Sequence, residues 1–219
     1  MKLIERPPRW FRSLFPGALF RIPGLPGEKK RVFLTFDDGP IPDVTPWVLD
    51  LLDSHGVKAT FFMVGQNVER NPELLEEVRR RGHDVGNHTL HHMKGMGKSV
   101  RSYIRDSLHG AELTGSDLFR PPHGWLGPGQ LKALRKHFKV IMYDLVTRDY
   151  SRRLTAEDVV NNVKRYTRDG SIIVFHDSLK SMPRIKEALP RCLEWLKEEG
   201  YEFRMFSQLE DKDLLNNSI

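Results

Sequence analysis

The chain has 219 residues, 39% of them hydrophobic and 29% charged, which suits one soluble α/β domain with a normal core. The net charge of +6 fits an acidic partner such as an anionic glycan or a membrane surface. No DNA- or RNA-binding motif accompanies this charge, so we expect no nucleic acid partner. The single cysteine, Cys192, excludes an internal disulfide, and its apolar helical surroundings indicate core packing.

Membrane and export signals are weak in this sequence. No stretch approaches the ~18 apolar residues that a membrane-spanning helix needs. A signal peptide needs an unbroken apolar region, and Pro16, Gly17 and Arg21 interrupt the best candidate near the N-terminus. We therefore expect a cytoplasmic protein, with peripheral membrane contact as an open alternative.

Residues 1–30 are predicted to form an N-terminal extension. Five prolines prevent long regular structure, and basic side chains alternate with aromatic ones. Two interpretations stay open: weak contact with an anionic membrane surface, or packing of the aromatic side chains over one end of the domain. The high proline content favours packing. Residues 31–210 then form the main domain, and 211–219 a C-terminal tail.

From residue 31 onward, an apolar strand, a loop, a capped helix and a glycine recur in order. The predicted strands are 31–36, 59–64, 83–86, 118–121, 140–143, 171–175 and 201–206. The predicted helices are 45–56, 71–82, 99–113, 128–137, 155–170 and 183–199. Thr45 is the expected N-cap of the first helix, and Thr155 with Asp158 forms a capping box. This alternation predicts a parallel sheet covered by helices, either open or closed into a barrel.

Polar side chains directly follow several of these strands: Asp37-Asp38, Asn87-His88, Arg120, Asp144 and His176-Asp177. In an open sheet such residues would be spread along an edge. In a barrel, all the strand ends meet in one ring at the carboxyl-terminal face. Convergence therefore favours a single-domain α/β barrel.

His88 and His92 are four residues apart, which places both imidazoles on one face if the segment is helical. A carboxylate from another strand end would complete a three-ligand metal site with an open position for water. A divalent cation lowers the pKa of such a water towards ~7, and the spare aspartate of the Asp37-Asp38 pair can then act as a base. The alternative is a solvated, histidine-rich surface loop.

Two further strand ends carry candidate groups. The stiff Pro121-Pro122 backbone can direct an N–H at a developing oxyanion, and Arg120 could pair with a carboxylate and keep it ionised. Alternatively, Arg120 is an ordinary arginine beside a structural turn. His176 is either a satisfied core residue or an acid/base group, and the other strand-end ligands favour a general acid.

Five short motifs occur in order: Thr35-Phe36-Asp37-Asp38-Gly39, His88-Thr89-x-x-His92, Arg120-x-Pro122, Asp144-x-x-x-x-Asp149 and Val174-x-His176. This series resembles the polysaccharide deacetylase family, also called the NodB-homology domain or carbohydrate esterase family 4. The resemblance covers residues 31–206 and implies a distorted (β/α)7 barrel. It also implies a hydrolase that uses a metal-bound water to remove an N-acetyl or other N-acyl group from GlcNAc-type sugars. The expected substrate is a polysaccharide, a peptidoglycan fragment or a chitooligosaccharide.

The resemblance assigns roles to individual residues. Asp38, His88 and His92 would bind the metal, with zinc expected and cobalt, nickel or manganese as alternatives. Asp37 would be the catalytic base, oriented by Arg120.

The remaining roles concern the acid and the substrate. His176 would protonate the leaving amine, and Asp149 would tune its pKa. Pro122 and His123 would lie at the oxyanion hole, with the backbone N–H of His123 as a donor. Tyr150 would belong to the substrate groove.

Several positions depart from the family pattern. His123 stands where many members have tyrosine, Val146 replaces an aspartate, and Tyr143 and Tyr150 replace tryptophans. These departures leave the sugar open. One alternative is a deacylase of a lipid-linked amino sugar at the cytoplasmic membrane face. Another, from a different class, is a non-catalytic glycan-binding module. The pattern implies no oligomeric state.

Overall fold

The computed structural model describes residues 5–210 and Asp213. In this part of the chain, one sheet contains eight parallel strands: β1 (Arg31–Asp37), β2 (Thr60–Met63), β3 (Asp84–Asn87), β4 (Leu118–Phe119), β5 (Lys139–Val140), β6 (Leu145–Val146), β7 (Ser171–His176) and β8 (Glu202–Phe203). The strand order is β5-β4-β3-β2-β1-β7-β6, and β8 pairs with the start of β1.

Helices connect the strands: α1 (Arg9–Arg12), α2 (Thr45–Ser54), α3 (Gly65–Arg70), α4 (Pro72–Arg80), α5 (Val100–Thr114), α6 (Pro128–Leu134), α7 (Ala156–Tyr166) and α8 (Met182–Glu198). The sheet curls into a half-barrel with helices packed against it, which confirms the single-domain, distorted (β/α)7 architecture. Among the described helices, none is both long and apolar enough to cross a bilayer.

Strand β1 is buried along its whole length because side chains cover both faces of the sheet. Val32, Leu34 and Phe36 belong to the largest core cluster, whereas Phe33 belongs to a smaller cluster on the other side of the sheet. Cys192 on α8 lies in the largest cluster and is only 1% exposed, which confirms its core packing.

The strand registers bring the polar strand ends together. Asp37 and His176 are Cα partners at the ends of β1 and β7. Strands β3 and β4 pair at their last residues, so His88 and Arg120, the next residue in each chain segment, lie side by side. Two strand pairings therefore bring four of the candidate residues to one end of the curled sheet.

The N-terminal segment fills the gap between β5 and β7. The Leu19 N–H donates to the Val140 carbonyl at 2.9 Å, and the Leu19 carbonyl accepts from the Met142 N–H at 2.7 Å. Further along, the Ile22 N–H donates to the Gly170 carbonyl at 2.8 Å. This segment therefore supplies main-chain hydrogen bonds to both sides of the opening.

Three aromatic side chains of the same segment, Phe11, Phe15 and Phe20, are buried in one core cluster with residues of β4 and β5. Trp10 is 60% exposed. The packing interpretation of the extension thus agrees with the structure for these three residues. Residues 1–4 and, apart from Asp213, the predicted tail at 211–219 lie outside the described residues.

Thr45 is not the N-cap of α2, contrary to the prediction. Val44 occupies that position, and no side chain caps the helix there. The Thr45 hydroxyl instead donates to Asp177 Oδ2 at 2.6 Å and accepts from the Ile41 N–H at 2.8 Å. The Thr155–Asp158 capping box is present, with the Asp158 N–H donating to Thr155 Oγ1 at 3.1 Å.

One helix of the structure was not predicted, and one predicted helix extends too far. The sequence analysis missed α3, a single polar helix of six residues that buries only Gly65 and Val68 and so offers little periodicity. The helix predicted to reach residue 170 ends at Tyr166, because Thr167 is extended (φ −66°, ψ 139°). Asp169 then accepts from the Gly24 and Arg31 N–H groups, which fixes this stretch as a connection rather than a helix.

Candidate metal centre and active site

A cleft of about 190 Å³ opens at the carboxyl ends of the strands. Of the ten residues to which the resemblance assigned a role, eight line it, and Asp149 and Pro122 do not. Asp144, which was expected to converge with the other strand ends, does not line the cleft because it pairs with Arg12 and Arg168. The other lining residues are Pro121, Gly124, Met142, Tyr143, Val146, Val174 and Lys180. Side chains from six separate stretches of the chain therefore meet in one small space.

Asp38, His88 and His92 bring three ligand atoms within 4.8 Å of one another. Asp38 Oδ1 lies 3.1 Å from His92 Nε2 and 3.8 Å from His88 Nε2. His88 Nδ1 lies 2.8 Å from the Arg120 carbonyl, which can only accept, so Nδ1 carries the proton and Nε2 keeps its lone pair. This donor set fits a divalent cation.

The charge states of these ligands also suit a cation. Burial lowers the pKa of His88 to about 4, so its imidazole is neutral near pH 7. Burial alone would raise the pKa of Asp38, but the hydrogen bond from His92 and the charge of His176 hold it well below its usual range. A neutral imidazole and an ionised carboxylate are the forms that bind metal.

The segment from His88 to His92 is not helical, contrary to the assumption behind the i, i+4 argument. It is an irregular loop in which Thr89 (φ 64°) and His92 (φ 52°) are both left-handed. The two imidazole centroids are nevertheless 5.1 Å apart. The loop therefore reaches the same clustering by backbone turns that residue spacing does not reveal.

Side chains that the sequence analysis did not assign hold this loop in place. Asn87 accepts from the Thr89 N–H at 2.9 Å and donates to the Ser107 carbonyl at 2.7 Å. Asp106 on α5 lies 2.5 Å from His91 Nδ1 and accepts from the His91 N–H. Ser107 and Asp106 both belong to α5, which is distant in sequence from this loop. No local sequence pattern therefore indicated these contacts.

Asp37 and Arg120 form a buried pair. Arg120 Nη1 donates to Asp37 Oδ1 at 2.7 Å and to Thr35 Oγ1 at 2.6 Å, and its guanidinium lies 4.0 Å from the Phe62 ring centroid. The two side chains are 5% and 2% exposed. The arginine thus compensates the carboxylate charge and fixes one of its two oxygens, which leaves the other available.

His176 and Asp149 form a second pair. Asp149 Oδ1 lies 2.8 Å from His176 Nδ1, and its Oδ2 accepts from the His176 N–H at 2.7 Å. Burial lowers the pKa of His176, but the charges of Asp149, Asp38 and Asp37 outweigh it and raise the pKa to about 9. Near pH 7 the imidazole is therefore protonated, with Asp149 on Nδ1 and Nε2 free to donate.

Asp177, directly after β7, is hydrogen-bonded to the segment that follows β1. The sequence predicted no role for it. Its Oδ1 accepts from the Gly39 N–H at 3.0 Å, and its Oδ2 accepts from the Thr45 hydroxyl at 2.6 Å. A Cβ at Gly39 would lie 2.1 Å from Asp177 Oδ2, so only glycine fits there. Burial raises the pKa of Asp177 to about 8, and repulsion from Asp38 adds to this.

The departures from the family pattern line one wall of the cleft. The His123 ring lies edge-on to His92 at 4.8 Å, and its backbone is left-handed (φ 62°). Burial and the neighbouring His92 lower the pKa of His123. Tyr150 packs edge-on against His176 at 4.8 Å, and its buried hydroxyl has no partner among the described residues.

Lys180 is a cleft residue that the sequence analysis missed. Its Nζ lies 5.7 Å from the Tyr150 ring centroid. Lys180 belongs to the turn between β7 and α8 and lies in no recognisable motif. The sequence around it therefore did not predict that it would line the cleft.

The arrangement combines three functions in one cleft. It has three ligand atoms that could hold a cation, a carboxylate with one oxygen outside the Arg120 pair, and a protonated imidazole. These are the parts needed to hydrolyse an amide: an activated water, a base to take its proton, and an acid for the leaving nitrogen.

Comparisons with known proteins agree with this chemistry. The model of the polysaccharide deacetylase family matches residues 24–137. A peptidoglycan-N-acetylglucosamine deacetylase of Bacillus cereus is 34% identical over 193 residues, which are 84% of this chain and 90% of the relative. The relative PgdA of Listeria monocytogenes is 34% identical over 197 residues, which are 86% of this chain but 41% of that longer protein.

Solved structures give the same result. A peptidoglycan N-acetylglucosamine deacetylase in complex with 4-naphthalen-1-yl-N-oxidanyl-benzamide superposes with a TM-score of 0.83 at 28% identity, covering 94% of this chain and 97% of the other. A carbohydrate esterase family 4 pseudoenzyme from Bacillus anthracis reaches a TM-score of 0.74 at 27% identity, covering 91% and 70%. The chain belongs to the polysaccharide deacetylase family.

Proposed function

We propose that the protein is a metal-dependent hydrolase that removes the N-acetyl group from GlcNAc residues of peptidoglycan. One observation carries the proposal: the Asp38–His88–His92 cluster, the Asp37 carboxylate and the His176 imidazole share a single cleft. The relatives named as peptidoglycan-N-acetylglucosamine deacetylases support the substrate.

Zinc is the proposed metal. Two imidazoles and one carboxylate with an open position are typical of catalytic zinc sites, although cobalt, nickel and manganese accept the same ligands. When bound, a divalent cation would polarise the acyl oxygen and make water nucleophilic near neutral pH.

Asp37 is the proposed base. Arg120 holds its Oδ1, so the second carboxylate oxygen is the one available to take the proton of the attacking water. Because Arg120 also bonds Thr35 and the Met142 carbonyl, the guanidinium cannot turn away, and the carboxylate stays oriented. Arg120 is therefore a positioning residue.

His176 is the proposed acid. Its Nε2–H protonates the amide nitrogen as the C–N bond breaks, giving a free amino sugar and acetate. Asp149 holds Nδ1 and stabilises the charged imidazole before the transfer. In the proposed oxyanion hole, the backbone N–H of His123 donates to the developing charge on the acyl oxygen, and Pro122, which has no N–H, stiffens the loop.

The sugar itself is the finer part of the proposal. A relative from Bacillus subtilis, PdaC, is named as a peptidoglycan-N-acetylmuramic acid deacetylase, so N-acetylmuramic acid is the second candidate. Val146, Tyr150 and His123 line the cleft where substrate would lie and are the residues expected to discriminate between the two sugars.

The direct test is acetate release. Zinc-loaded protein is incubated with peptidoglycan, isolated GlcNAc oligomers, chitooligosaccharides and a lipid-linked N-acetyl amino sugar. We expect acetate from a GlcNAc-containing substrate and none after chelation. Binding of glycans without acetate release from any of them would support the non-catalytic glycan-binding module instead.

Peripheral membrane contact belongs to the proposal as well, and cytoplasmic location stays a prediction. Trp10 and Leu14, 60% and 53% exposed, are the candidate contacts. Co-sedimentation with anionic vesicles tests this when wild type is compared with a W10A/L14A variant, which leaves the buried aromatic residues intact. Equal sedimentation of both proteins would show that Trp10 and Leu14 do not mediate membrane contact.

A further inference from the structure

A second and larger cavity, of about 760 Å³, lies between the N-terminal segment and the turn that precedes β7. We call it the arginine cavity. Its lining residues are Arg6, Pro7, Pro8, Arg9, Arg12, Ser13, Ala18, Phe20, Arg21, Pro23 and Arg168. None of these side chains is acidic, and five are arginines.

The cavity has more positive charge than its neighbours neutralise. Asp144 is the carboxylate in contact with it: it lies 2.5 Å from Arg12 Nη2 and accepts from Arg168 Nε at 2.9 Å and Nη2 at 2.7 Å. One buried carboxylate therefore serves two arginines. Among the described residues, Arg6, Arg9 and Arg21 have no hydrogen-bonding or ion-pairing partner for their side chains.

The electrostatics show this excess. Burial lowers the pKa of Arg21, and the charges of Arg168 and Arg12 lower it further than Asp144 and Asp169 restore it. Burial also lowers the pKa of Arg12; Asp144 opposes this by its charge and its hydrogen bond, and Arg168 and Arg6 add smaller repulsions. Like charges held together in this way repel one another, and an anion between them would relieve the repulsion.

Two of the five arginines, Arg12 and Arg168, are held in place by contacts within the protein. Arg12 Nε donates to the Pro7 carbonyl at 3.0 Å, and its guanidinium lies 5.8 Å from the Phe20 ring centroid. Arg168 is fixed by its two bonds to Asp144. Prolines at three lining positions stiffen the backbone. Binding would therefore cost little conformational entropy at Arg12 and Arg168, whereas Arg6, Arg9 and Arg21 would lose side-chain freedom.

The cavity is separate from the catalytic cleft. The two share no lining residue. Arg168 precedes the first residue of β7, whereas His176 is the last, and six strand residues span roughly 16 Å at ~3.3 Å per residue. A ligand in the arginine cavity would leave the metal, Asp37 and His176 free.

We propose that the arginine cavity binds the phosphate group of an anionic ligand. Guanidinium groups match phosphate oxygens in pairs, and several converging arginines typically mark phosphate recognition. Two sources share this chemistry: a soluble phosphorylated molecule and the headgroup of an anionic phospholipid. The proposal does not depend on deacetylase activity and goes beyond it.

The first test is calorimetric titration of the zinc-loaded protein with inorganic phosphate. The cavity variant is R9Q/R21Q, which removes two unpaired charges but keeps the Arg12–Asp144–Arg168 network. The matched control is K132Q/K136Q, which removes the same charge from exposed positions on another surface. Thermal unfolding and acetate release verify that both variants fold and keep their metal site.

We expect saturable phosphate binding that weakens at least about tenfold in R9Q/R21Q, since that variant loses two charge-assisted hydrogen bonds to phosphate, and less than about twofold in K132Q/K136Q. Absence of saturable binding in wild type, or equal weakening in both variants, overturns the proposal. Phosphate that binds at the metal site would contribute equally in wild type and in both variants, so it does not affect the comparison between them.

The second test separates the two sources. Wild type and R9Q/R21Q are sedimented with phosphatidylglycerol vesicles and with phosphatidylcholine vesicles. Binding to phosphatidylglycerol that depends on the two arginines and is displaced by free phosphate identifies a lipid headgroup. Saturable phosphate binding without vesicle binding identifies a soluble phosphorylated ligand.

Discussion

Asp37 and His176 are directly paired neighbours in the parallel ladder of β1 and β7, each at the last position of its strand. The pairing places the proposed base and the proposed acid on adjacent strands with a fixed separation. Each has its own buried partner, Arg120 for Asp37 and Asp149 for His176. The sheet therefore sets the distance between the two groups, and the partners set their orientation.

Substitution of Asp37 and of His88 should separate catalysis from metal binding. We expect D37A to lower kcat by about 10²–10⁴, the usual contribution of a general base, while zinc stays bound. H88A should lose zinc, because it removes a ligand whose Nε2 faces the other two. Metal content by mass spectrometry and acetate release are measured on the same samples. Retention of zinc by H88A, or a nearly normal rate in D37A, contradicts these assignments.

Asp149 should control the pH dependence of the reaction through His176. Asp149 raises the pKa of His176, and a general acid must be protonated, so activity falls once pH exceeds that pKa. In D149N the basic limb of the kcat/KM profile should move to lower pH by about 1–3 units, the effect of losing one close opposite charge. A purely structural role would lower the rate at every pH and leave the limb in place.

Much of this site could be predicted from the sequence because it follows strand ends. The apolar run before Asp37 and the one before His176 mark buried strands, and parallel strands deliver their last residues to one edge. Spacing suggested His88 and His92 as a ligand pair, and the resemblance to a family selected Asp38 as the third ligand. The spacing argument assumed a helix, and His88 to His92 is a loop.

What the sequence did not reveal depends on contacts distant in the chain. Asp177 is recognisable as important only when Gly39 and Thr45 are seen against its two oxygens. Asp106 supports the metal loop from α5. The role of Leu19 between β5 and β7 also has no local signature, because one residue bridging an opening has no periodicity.

Asp177 should matter for stability through its two hydrogen bonds. In D177A the Gly39 N–H and the Thr45 hydroxyl lose their acceptor in a buried place, which costs about 1–3 kcal/mol for each unsatisfied group. D177N keeps an oxygen for Gly39 and should lose less. The free energy of unfolding is measured by urea titration of both variants, with D50N, an exposed carboxylate, as the control. Equal stability of D177A and D177N would show that these hydrogen bonds are not the reason for the loss of stability.

His83 should make the fold sensitive to mild acid. Its side chain is 5% exposed, Nδ1 accepts from the Ala59 N–H, and burial together with Lys58 lowers its pKa from 6.5 to about 4. The unfolded chain therefore binds a proton between these two values and the folded chain does not, so stability is full above pH 6.5 and is lost as pH falls towards 4. At ~1.36 kcal/mol per pKa unit, the loss between pH 6.5 and pH 4 is about 3–4 kcal/mol.

The measurement compares urea unfolding of wild type and H83Q at pH 7.5 and pH 5. Glutamine can still accept from the Ala59 N–H but does not titrate. The stability of wild type should fall more steeply with acid than that of H83Q, and the difference between the two slopes isolates His83 from the titrating metal ligands. Parallel slopes would show that another group is responsible.

Removal of the N-terminal segment should unfold the protein rather than simply release an arm. Phe11, Phe15, Phe20 and Ile22 are all buried, and burial of each such side chain contributes about 1.5–3 kcal/mol. Their sum approaches the whole stability of a typical domain, about 5–15 kcal/mol. A protein lacking residues 1–22 should therefore be insoluble or lack a cooperative thermal transition. W10A, which changes an exposed residue of the same segment, should melt within a degree or two of wild type. A truncated protein that melts cooperatively near the wild-type temperature would show that the curled sheet closes without these residues.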